Sequence, residues 1–229
     1  MPAERQRLEY LAALGIDVWI PRGQAPAVPP ELVDDGLAAD APGSDWAELR
    51  ATVAGCTRCP LHRHRTQTVF GVGNRNADWM IIGEAPGAEE DRRGEPFVGR
   101  AGKLLDEMLH AVGLDRRTVF IANILKCRPP NNRDPVAGEA QACRGYLDRQ
   151  IQLIRPRLIL AIGRVAAQQL LHSNAPVGRM RGRPHRLSDG QLPVVVTYHP
   201  AYLLRTPSQK RKVWEDLCLA RQIVQESPP

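Results

Sequence analysis

Apolar positions along this chain follow two patterns that alternate. Four short, nearly unbroken apolar runs are typical of buried parallel strands, and they begin at Trp79, Val119, Leu158 and Val194. Stretches with apolar residues at helical spacing predict helices around and between the strands, at 5–16, 103–112, 136–154, 164–171 and 207–225. This alternation predicts an α/β fold with three layers, α/β/α, and a central four-stranded parallel sheet with right-handed crossovers.

Polar residues stand directly after several of these strands. The first strand runs into the turn G-E-A-P-G at 83–87, whose glycines and proline leave backbone N–H groups open to a ligand. Asn123 lies near the end of the second strand, and His199 follows the fourth. Because ligands bind beyond the carboxyl ends of parallel strands, we expect these three places to share one edge of the sheet. An ordinary βα turn is the alternative interpretation of the first stretch.

A loop rich in glycine, 94–102, follows that turn and carries Phe97. An aromatic ring beside a ligand-binding turn is a candidate stacking platform, and the alternative is an anchor that only holds the loop. Asn123 is also open to two interpretations. A buried amide must hydrogen-bond, and its partner is either a loop or a ligand.

Charge is unevenly distributed along the chain, whose net charge is +6. Residues 1–45 carry 3 Lys and Arg against 8 Asp and Glu, whereas the remainder carries 28 against 17. Five prolines among acids and small residues predict a linker at 21–45, between a short helical segment at 1–20 and a basic domain at 46–229. A basic domain favours a polyanionic partner such as nucleic acid.

Composition favours a soluble protein. Hydrophobic residues make up 43% of the chain, and no run of 18 apolar residues suits a membrane span. The first residues lack the apolar core of a secretion signal. We therefore expect a cytoplasmic protein with no membrane association.

Five cysteines, an odd number, argue against a disulfide framework. Cys56 and Cys59 form a C-x-x-C pair, Cys127 and Cys143 form a wider pair, and Cys218 is predicted to be an ordinary buried thiol. The two pairs fit a Cys₄ zinc site or a [4Fe–4S] cluster, and the wide second spacing makes zinc the less attractive choice. The alternatives are a redox dithiol for the first pair and small buried side chains for the second.

Four features in order carry a resemblance to a known family: the turn G-E-A-P-G, the strand end A-N-I-L-K-C-R-P-P, the loop H-P-A-Y-L-L and the four cysteines. Over about residues 50–220, the chain resembles a family 4 uracil-DNA glycosylase. The resemblance implies a DNA repair hydrolase that removes uracil from single- or double-stranded DNA and leaves an abasic site. It also implies a structural [4Fe–4S] cluster held by Cys56, Cys59, Cys127 and Cys143.

The resemblance further implies roles for individual residues. A uracil flipped out of the DNA would stack on Phe97 and be read by Asn123, while His199 would stabilise the departing anion. In many members of the wider superfamily an Asp occupies the position of Ala85. Its absence makes Glu84 and Glu90 the candidates that activate water, with Asn123 a candidate that positions it. The rest of the first turn is expected to bind the substrate through Gly83, Ala85, Pro86 and Gly87.

Contacts with DNA are expected on the same edge. The resemblance makes Tyr202 and Leu203 candidates for a wedge that fills the gap left by the flipped base. Basic residues flanking this edge are expected to bind phosphates, and they include Arg181, Arg183 and Arg205.

We expect a monomer, with residues 1–45 as a candidate site for a protein partner. The alternative function is a non-catalytic nucleic-acid-binding module that is held by zinc or a cluster and associated with replication or repair.

Overall fold

The computed structural model describes residues 45–187, 190 and 192–226. The predicted helical segment 1–20 and all but the last residue of the predicted linker lie outside this part. The described chain begins with helix α1 (Asp45–Ala54).

A six-stranded sheet forms the centre of the described part. Its strands are β1 (Val72–Gly73), β2 (Trp79–Gly83), β3 (Phe120–Asn123), β4 (Leu158–Ile162), β5 (Pro184–Arg186) and β6 (Pro193–Thr197). Their order is β1-β3-β2-β4-β6-β5. The inner four are parallel, and the two edge strands are antiparallel to their neighbours.

All four predicted strands are present, but the prediction of a four-stranded sheet is wrong because two edge strands extend it. Both edge strands are short, and neither is buried: β1 is half-buried and β5 is largely exposed. Hydrophobic periodicity marks strands that bury apolar side chains, so it does not mark these two.

Helices cover both faces of the sheet. They are α2 (Ala88–Arg93), α3 (Arg100–His110), α4 (Ala137–Ile154), α5 (Arg164–Leu171), α6 (Val177–Met180), α7 (Pro200–Arg205) and α8 (Lys210–Glu226). Among these described helices, none has both the length and the apolar character needed to cross a bilayer.

Alternate side chains of the central strands face two separate cores. In β2, Met80 and Ile82 pack in the core that also contains residues of α1, α4 and α5. Trp79 and Ile81 point the other way and pack with residues of α3 and α8. This period of two follows from the pleat of a strand, and the two cores confirm the predicted α/β/α layers.

Parallel pairing brings the carboxyl ends of the inner strands to one edge. Gly83 at the end of β2 pairs with Asn123 at the end of β3, and Ile162 of β4 pairs with Thr197 of β6. The turn after β2, the end of β3 and the loop after β6 therefore lie at the same edge, as expected from the sequence.

Candidate active site and cysteine pocket

A cavity of about 570 Å³ opens at this edge of the sheet. Its walls contain most of the residues singled out in the sequence: Glu84, Ala85, Pro86, Gly87, Glu90, Phe97, Asn123, His199, Tyr202 and Arg205. The carboxyl ends of β2, β3 and β6 supply three separate stretches of this wall. Residues far apart in the chain thus meet around one space large enough for a small ring.

The floor of the cavity depends on a close approach at Gly83. A Cβ atom placed there would lie 2.5 Å from Asn123 Oδ1 and 2.6 Å from Phe97 Cζ. Glycine is therefore required for the amide and the ring to come together over the end of β2.

Phe97 adopts an uncommon backbone conformation that presents its ring to the cavity. Its φ is +56°, which is unusual for a residue with a side chain. Gly102 allows the tight loop, since a Cβ atom there would lie 1.7 Å from the Phe97 carbonyl oxygen. Arg116 donates hydrogen bonds to the carbonyl oxygens of Pro96 and Phe97. The strained conformation is thus held by several contacts at once.

Glu90 holds the same loop. Its Oε1 accepts hydrogen bonds from the backbone N–H groups of Val98, at 3.0 Å, and Gly99, at 3.1 Å. The carboxylate lines the cavity but is already engaged with the loop that carries Phe97. This geometry favours a positioning role for Glu90 over activation of water.

Asn123 is the buried amide at the end of β3. The residue is 2% exposed, and its Oδ1 has no hydrogen-bond partner within the described chain. A buried carbonyl oxygen without a partner costs about 1–3 kcal/mol. Since Asn123 also lines the cavity, a ligand is the natural partner.

His199 lines the same cavity and caps the start of α7. Its ring stacks near that of Phe97, with 5.6 Å between the ring centroids and 28° between the planes. Its Nδ1 accepts a hydrogen bond from the Ala201 N–H at 3.1 Å, so a neutral ring carries its proton on Nε2. Burial, followed by the positive charge of Arg205, lowers the pKa of His199 to about 4. The imidazole is therefore neutral at physiological pH and offers an Nε2–H donor.

Glu84 pairs with a second carboxyl group that the sequence did not single out. Burial, and then the negative charge of Asp134, raise the pKa of Glu84 to about 7, while Arg164 acts in the opposite direction. Asp134 forms an ion pair with Arg164 at the entrance to α5. Glu84 is thus the carboxyl group at this site that can exchange a proton near neutral pH.

The loop after β3 supplies residues that sequence reasoning missed. Asn132, Arg133 and Asp134 line the cavity, and Asn132 has a positive φ of 52°. The Asn132 side chain accepts a hydrogen bond from Arg128 Nε at 2.7 Å. The run P-P-N-N-R-D at 129–134, in the loop that follows a site strand, is a signal that could have found them, because prolines and asparagines are typical of tight polar loops.

The residues predicted to contact DNA divide into two groups. Tyr202 and Arg205 line the cavity and Arg183 is exposed, so all three remain candidates. Leu203 is only 1% exposed and packs in the core with α3 and α8, so its predicted role as a wedge is wrong. Its neighbour Leu204 is 42% exposed.

Arg181 also departs from its predicted role. Its side chain is 13% exposed and pairs with Asp216, which is fully buried, at 2.9 Å. It also donates to the Lys212 carbonyl oxygen at 2.6 Å. A guanidinium group bound inside the protein is not available to a phosphate, so the prediction of DNA contact is wrong for this residue.

The four predicted metal ligands line one small pocket between α1, α4 and the end of β3: Cys56, Cys59, Cys127 and Cys143. Cys218 is exposed on α8, so the prediction of a buried thiol there is wrong. Within the described ranges, no three His, Cys, Asp or Glu side chains converge tightly enough to hold a single metal ion.

The surroundings of the four thiols suit thiolate ligands. Arg65 Nη1 donates to Cys127 Sγ at 3.1 Å, and the backbone N–H of Lys126 donates to Cys143 Sγ at 3.4 Å. Burial acts against the thiolate form: it raises the pKa of Cys127, and it raises that of Cys143 to about 11, whereas Arg65 and Lys126 act in the opposite direction. Arg58, Arg65 and Lys126 also line the pocket and supply positive charge. Four sulfurs with N–H donors and cations around them fit an iron–sulfur cluster.

Comparison with known proteins identifies the relatives of this chain. The sequence model of the uracil DNA glycosylase superfamily matches residues 70–218. The type-4 uracil-DNA glycosylase of Archaeoglobus fulgidus is 44% identical over 170 residues, which cover 72% of this chain and 85% of that protein. The type-4 uracil-DNA glycosylase of Thermotoga maritima is 43% identical over 174 residues, covering 75% of this chain and 90% of that protein.

Proposed function

Because this chain belongs to the uracil DNA glycosylase superfamily, and within it to the type-4 enzymes, we propose that it is a DNA repair glycosylase. It hydrolyses the N-glycosidic bond of a deoxyuridine flipped out of DNA and leaves an abasic site. The observation that carries this proposal is the meeting of Phe97, Asn123 and His199 in one cavity. A protein that only binds DNA has no need of such a cavity.

Asn123 supplies the discrimination between uracil and cytosine. Its Oδ1 accepts from the N3–H of uracil and its amide N–H donates to O4. Cytosine presents an amino group and an unprotonated N3 instead, so the buried amide would lose its partners. Each unpaired group costs about 1–3 kcal/mol, and sites that read hydrogen bonds discriminate sharply for this reason.

His199 stabilises the leaving group. As the bond between C1′ and N1 breaks, both bonding electrons pass to the uracil, which departs as an anion. The Nε2–H of neutral His199 donates to O2 of this anion, and backbone N–H groups of the turn at 84–87 add to the same pocket. Phe97 stacks on the ring and holds it in place during bond cleavage.

Glu84 is the base in this mechanism. A water molecule adds its oxygen to C1′ and gives its proton to the Glu84 carboxylate, which has a suitable pKa of about 7. The proton then passes to solvent, and the uracil anion takes up a proton on N1. Asp134 acts through Glu84, since its negative charge keeps that pKa high.

DNA reaches the cavity along the edge formed by α7. Leu204 replaces Leu203 as the wedge, with Tyr202 beside it at the mouth of the cavity. Arg183 and Arg205 contact phosphates, because both are exposed near the carboxyl end of β6. Such contacts are independent of sequence, which suits both single- and double-stranded DNA.

The cysteine pocket holds a structural [4Fe–4S] cluster through Cys56, Cys59, Cys127 and Cys143. The bound cluster links α1, the end of β3 and α4, three segments distant in sequence. Purified protein should be brown, with about four iron atoms and four acid-labile sulfides per chain. Colourless protein with one equivalent of zinc would contradict the assignment.

The assembly and location of the protein complete the proposal. We propose that the enzyme acts as a monomer, because the described part of one chain supplies the groups assigned at the cavity, and that it acts in the cytoplasm, as its composition favours. Residues 1–45, with their acidic balance, are the segment offered to a protein partner. Elution at about 25 kDa in size-exclusion chromatography would support the monomer, whereas elution at twice that mass would contradict it.

The decisive experiment compares matched oligonucleotides that differ by one base. The protein is incubated with DNA containing uracil or cytosine at one position, and abasic sites are then cleaved with alkali. Cleavage should occur only at uracil. His199→Ala and Asn123→Ala should each slow single-turnover excision by about 10²–10³.

Two matched control variants distinguish the loss of a cavity residue from the general effect of replacing a histidine or an asparagine. His110→Ala and Asn76→Ala remove the same side-chain types at exposed positions outside the cavity, and both should excise at the rate of the parent protein. Tight binding of uracil-containing DNA without base release would overturn the enzyme assignment in favour of a binding module.

A further inference from the structure

A buried lysine lies between the cysteine pocket and the cavity that binds the base. Lys126 is 1% exposed, and no carboxylate pairs with it in the described part of the chain. Its Nζ donates to the backbone carbonyl oxygen of Asn123 at 3.0 Å and to Gln150 Oε1 at 2.6 Å. Gln150 is also fully buried, and its Nε2 donates to the Phe70 carbonyl oxygen at 2.9 Å.

The same lysine contacts the cysteine pocket. Its backbone N–H donates to Cys143 Sγ, the next residue is Cys127, and Lys126 itself lines the pocket. One buried residue therefore contacts the cysteine pocket through its backbone N–H and the end of β3 through its Nζ.

The other end of this contact is the residue that reads the base. The side chain of Asn123, which lines the cavity, has an Oδ1 without a hydrogen-bond partner in the described part of the chain. The backbone carbonyl oxygen of Asn123 accepts a hydrogen bond from Lys126 Nζ. The end of β3 carries both groups, so a shift of the carbonyl also moves the amide. Recognition sites need their groups held within about half an ångström, and supporting residues provide this.

We propose that Lys126 and Gln150 form a buried hydrogen-bonded bridge that couples the cysteine pocket to base recognition by Asn123. The bridge positions Asn123 and does not itself touch the substrate. This inference rests on the proposed function, because it assigns a specificity role at the same site. The cysteine pocket would then do more than link distant segments, because through Lys126 it would also help to position the residue that recognises uracil.

The test is a double-mutant cycle between Lys126→Met and Asn123→Ala. Methionine keeps the length and the apolar body of the lysine but removes its donors and charge. Lys126→Met alone should slow single-turnover excision by about 10- to 100-fold, as loss of a supporting residue commonly does. The double variant should excise within about twofold of Asn123→Ala alone, because the lysine acts through that asparagine.

A binding measurement distinguishes a role of Lys126 in positioning Asn123 from a general loss of catalytic activity. Oligonucleotides carrying 2′-fluoro-2′-deoxyuridine resist loss of the base, so their affinity can be measured against matched oligonucleotides carrying 2′-fluoro-2′-deoxycytidine. The parent protein should prefer the uridine analogue, and Lys126→Met should bring the affinity ratio close to one. Iron content per chain is measured for every variant, so that proteins are compared at equal loading.

Leu147→Ala is the matched control for a purely structural effect. Leu147 is fully buried on α4, and its apolar side chain has no group that can donate or accept a hydrogen bond in the bridge. Its variant should lose stability, keep the affinity ratio of the parent, and show effects on excision that multiply with those of Asn123→Ala. Should Lys126→Met fold poorly, Gln150→Met breaks the same bridge from its other side and should be non-additive with Asn123→Ala in the same way.

The outcomes distinguish two failures. Suppose that the parent prefers the uridine analogue, but that the rate reductions caused by Lys126→Met and Gln150→Met each multiply fully with that of Asn123→Ala. The proposed bridge is then wrong, and the proposed function stands. If the parent shows no preference for the uridine analogue and excises nothing, the proposed function falls and the bridge falls with it.

Discussion

The chemistry of single residues at this site is set by what surrounds them. His199 is held neutral because it is buried and lies beside Arg205, and its Nδ1 is occupied by the Ala201 N–H. The same two effects act on Glu84, whose negative charge is disfavoured by burial and by Asp134, and they raise its pKa to about 7. One group is therefore a fixed donor across the neutral range, while the other changes charge within it.

Glu84 should dominate the pH dependence of excision. Its pKa of about 7 means that the carboxylate fraction rises as pH increases from 6 to 8, so the single-turnover rate should rise about tenfold over that range. His199 contributes no change there, because its pKa is about 4. Glu84→Gln should lower the rate and flatten the profile. Asp134→Asn should move the midpoint to lower pH, because the negative charge that raises the Glu84 pKa is gone; a midpoint that stays in place would contradict the pairing.

Gly83 should tolerate no side chain. In Gly83→Ala the added methyl group would meet the Asn123 amide and the Phe97 ring, so excision should fall at least about tenfold and stability by about 1–3 kcal/mol. Gly145→Ala is the control, since a Cβ atom there has nothing within 4 Å and lies on α4. That change should leave excision intact and raise stability slightly, as measured by urea unfolding.

At the scale of elements, helix α7 carries three functions in six residues. His199 caps the first turn of this helix, Leu203 is buried on its inner face, and Leu204 is exposed on its outer face. Neighbouring residues on a helix point about 100° apart, so a one-residue difference separates a core side chain from one that can reach DNA. The sequence L-L does not reveal which of the two is buried.

The two leucines of α7 should give opposite results when each is changed to alanine. Leu203→Ala should lower the free energy of unfolding by about 2–5 kcal/mol, because it leaves a cavity in the core. Leu204→Ala should change stability by less than about 0.5 kcal/mol yet slow excision from double-stranded DNA. Single-stranded DNA needs no wedge, so its excision by Leu204→Ala should be nearly unchanged. Equal slowing on both substrates would argue against the wedge.

Over the whole molecule, positive charge serves two purposes that the sequence cannot separate. Arg205 lies exposed at the cavity, whereas Arg181 is bound to the buried carboxylate of Asp216, which also accepts from the Thr197 hydroxyl at 2.8 Å. Arg205 is therefore available to DNA. The pair of Arg181 and Asp216 instead connects α8 with β6 and with the loop before β5. Net charge therefore overstates the surface that faces a polyanion.

Salt dependence of binding distinguishes these purposes. Arg205→Ala should reduce the slope of log affinity against log salt by about one on double-stranded DNA, as expected for one lost phosphate contact. Arg181→Met should leave that slope unchanged while lowering stability by about 3–5 kcal/mol, because it strands a buried carboxylate. A reduced slope in Arg181→Met would restore the original prediction of DNA contact.

The sequence by itself determined the four inner strands, the α/β/α layers and the site stretches at their carboxyl ends. These follow from local patterns: unbroken apolar runs, helical spacing, and polar residues placed where a strand stops. The convergence of the first turn, Asn123 and His199 on one edge was predictable in this way, and Phe97 could be placed near them because its loop follows that turn. The meeting of the four cysteines in one pocket was expected from the family resemblance, and their assignment as ligands stays a proposal.

Only the tertiary structure decided which side chains are free to act. Burial of Leu203 and Arg181, the pairing of Glu84 with Asp134, and the contact of Lys126 with Asn123 all depend on neighbours far away in the chain. Local sequence fixes the type of a residue and its position on an element. Exposure, pKa and hydrogen-bond partners are set by whatever packs against that element, and that is decided when the whole chain folds.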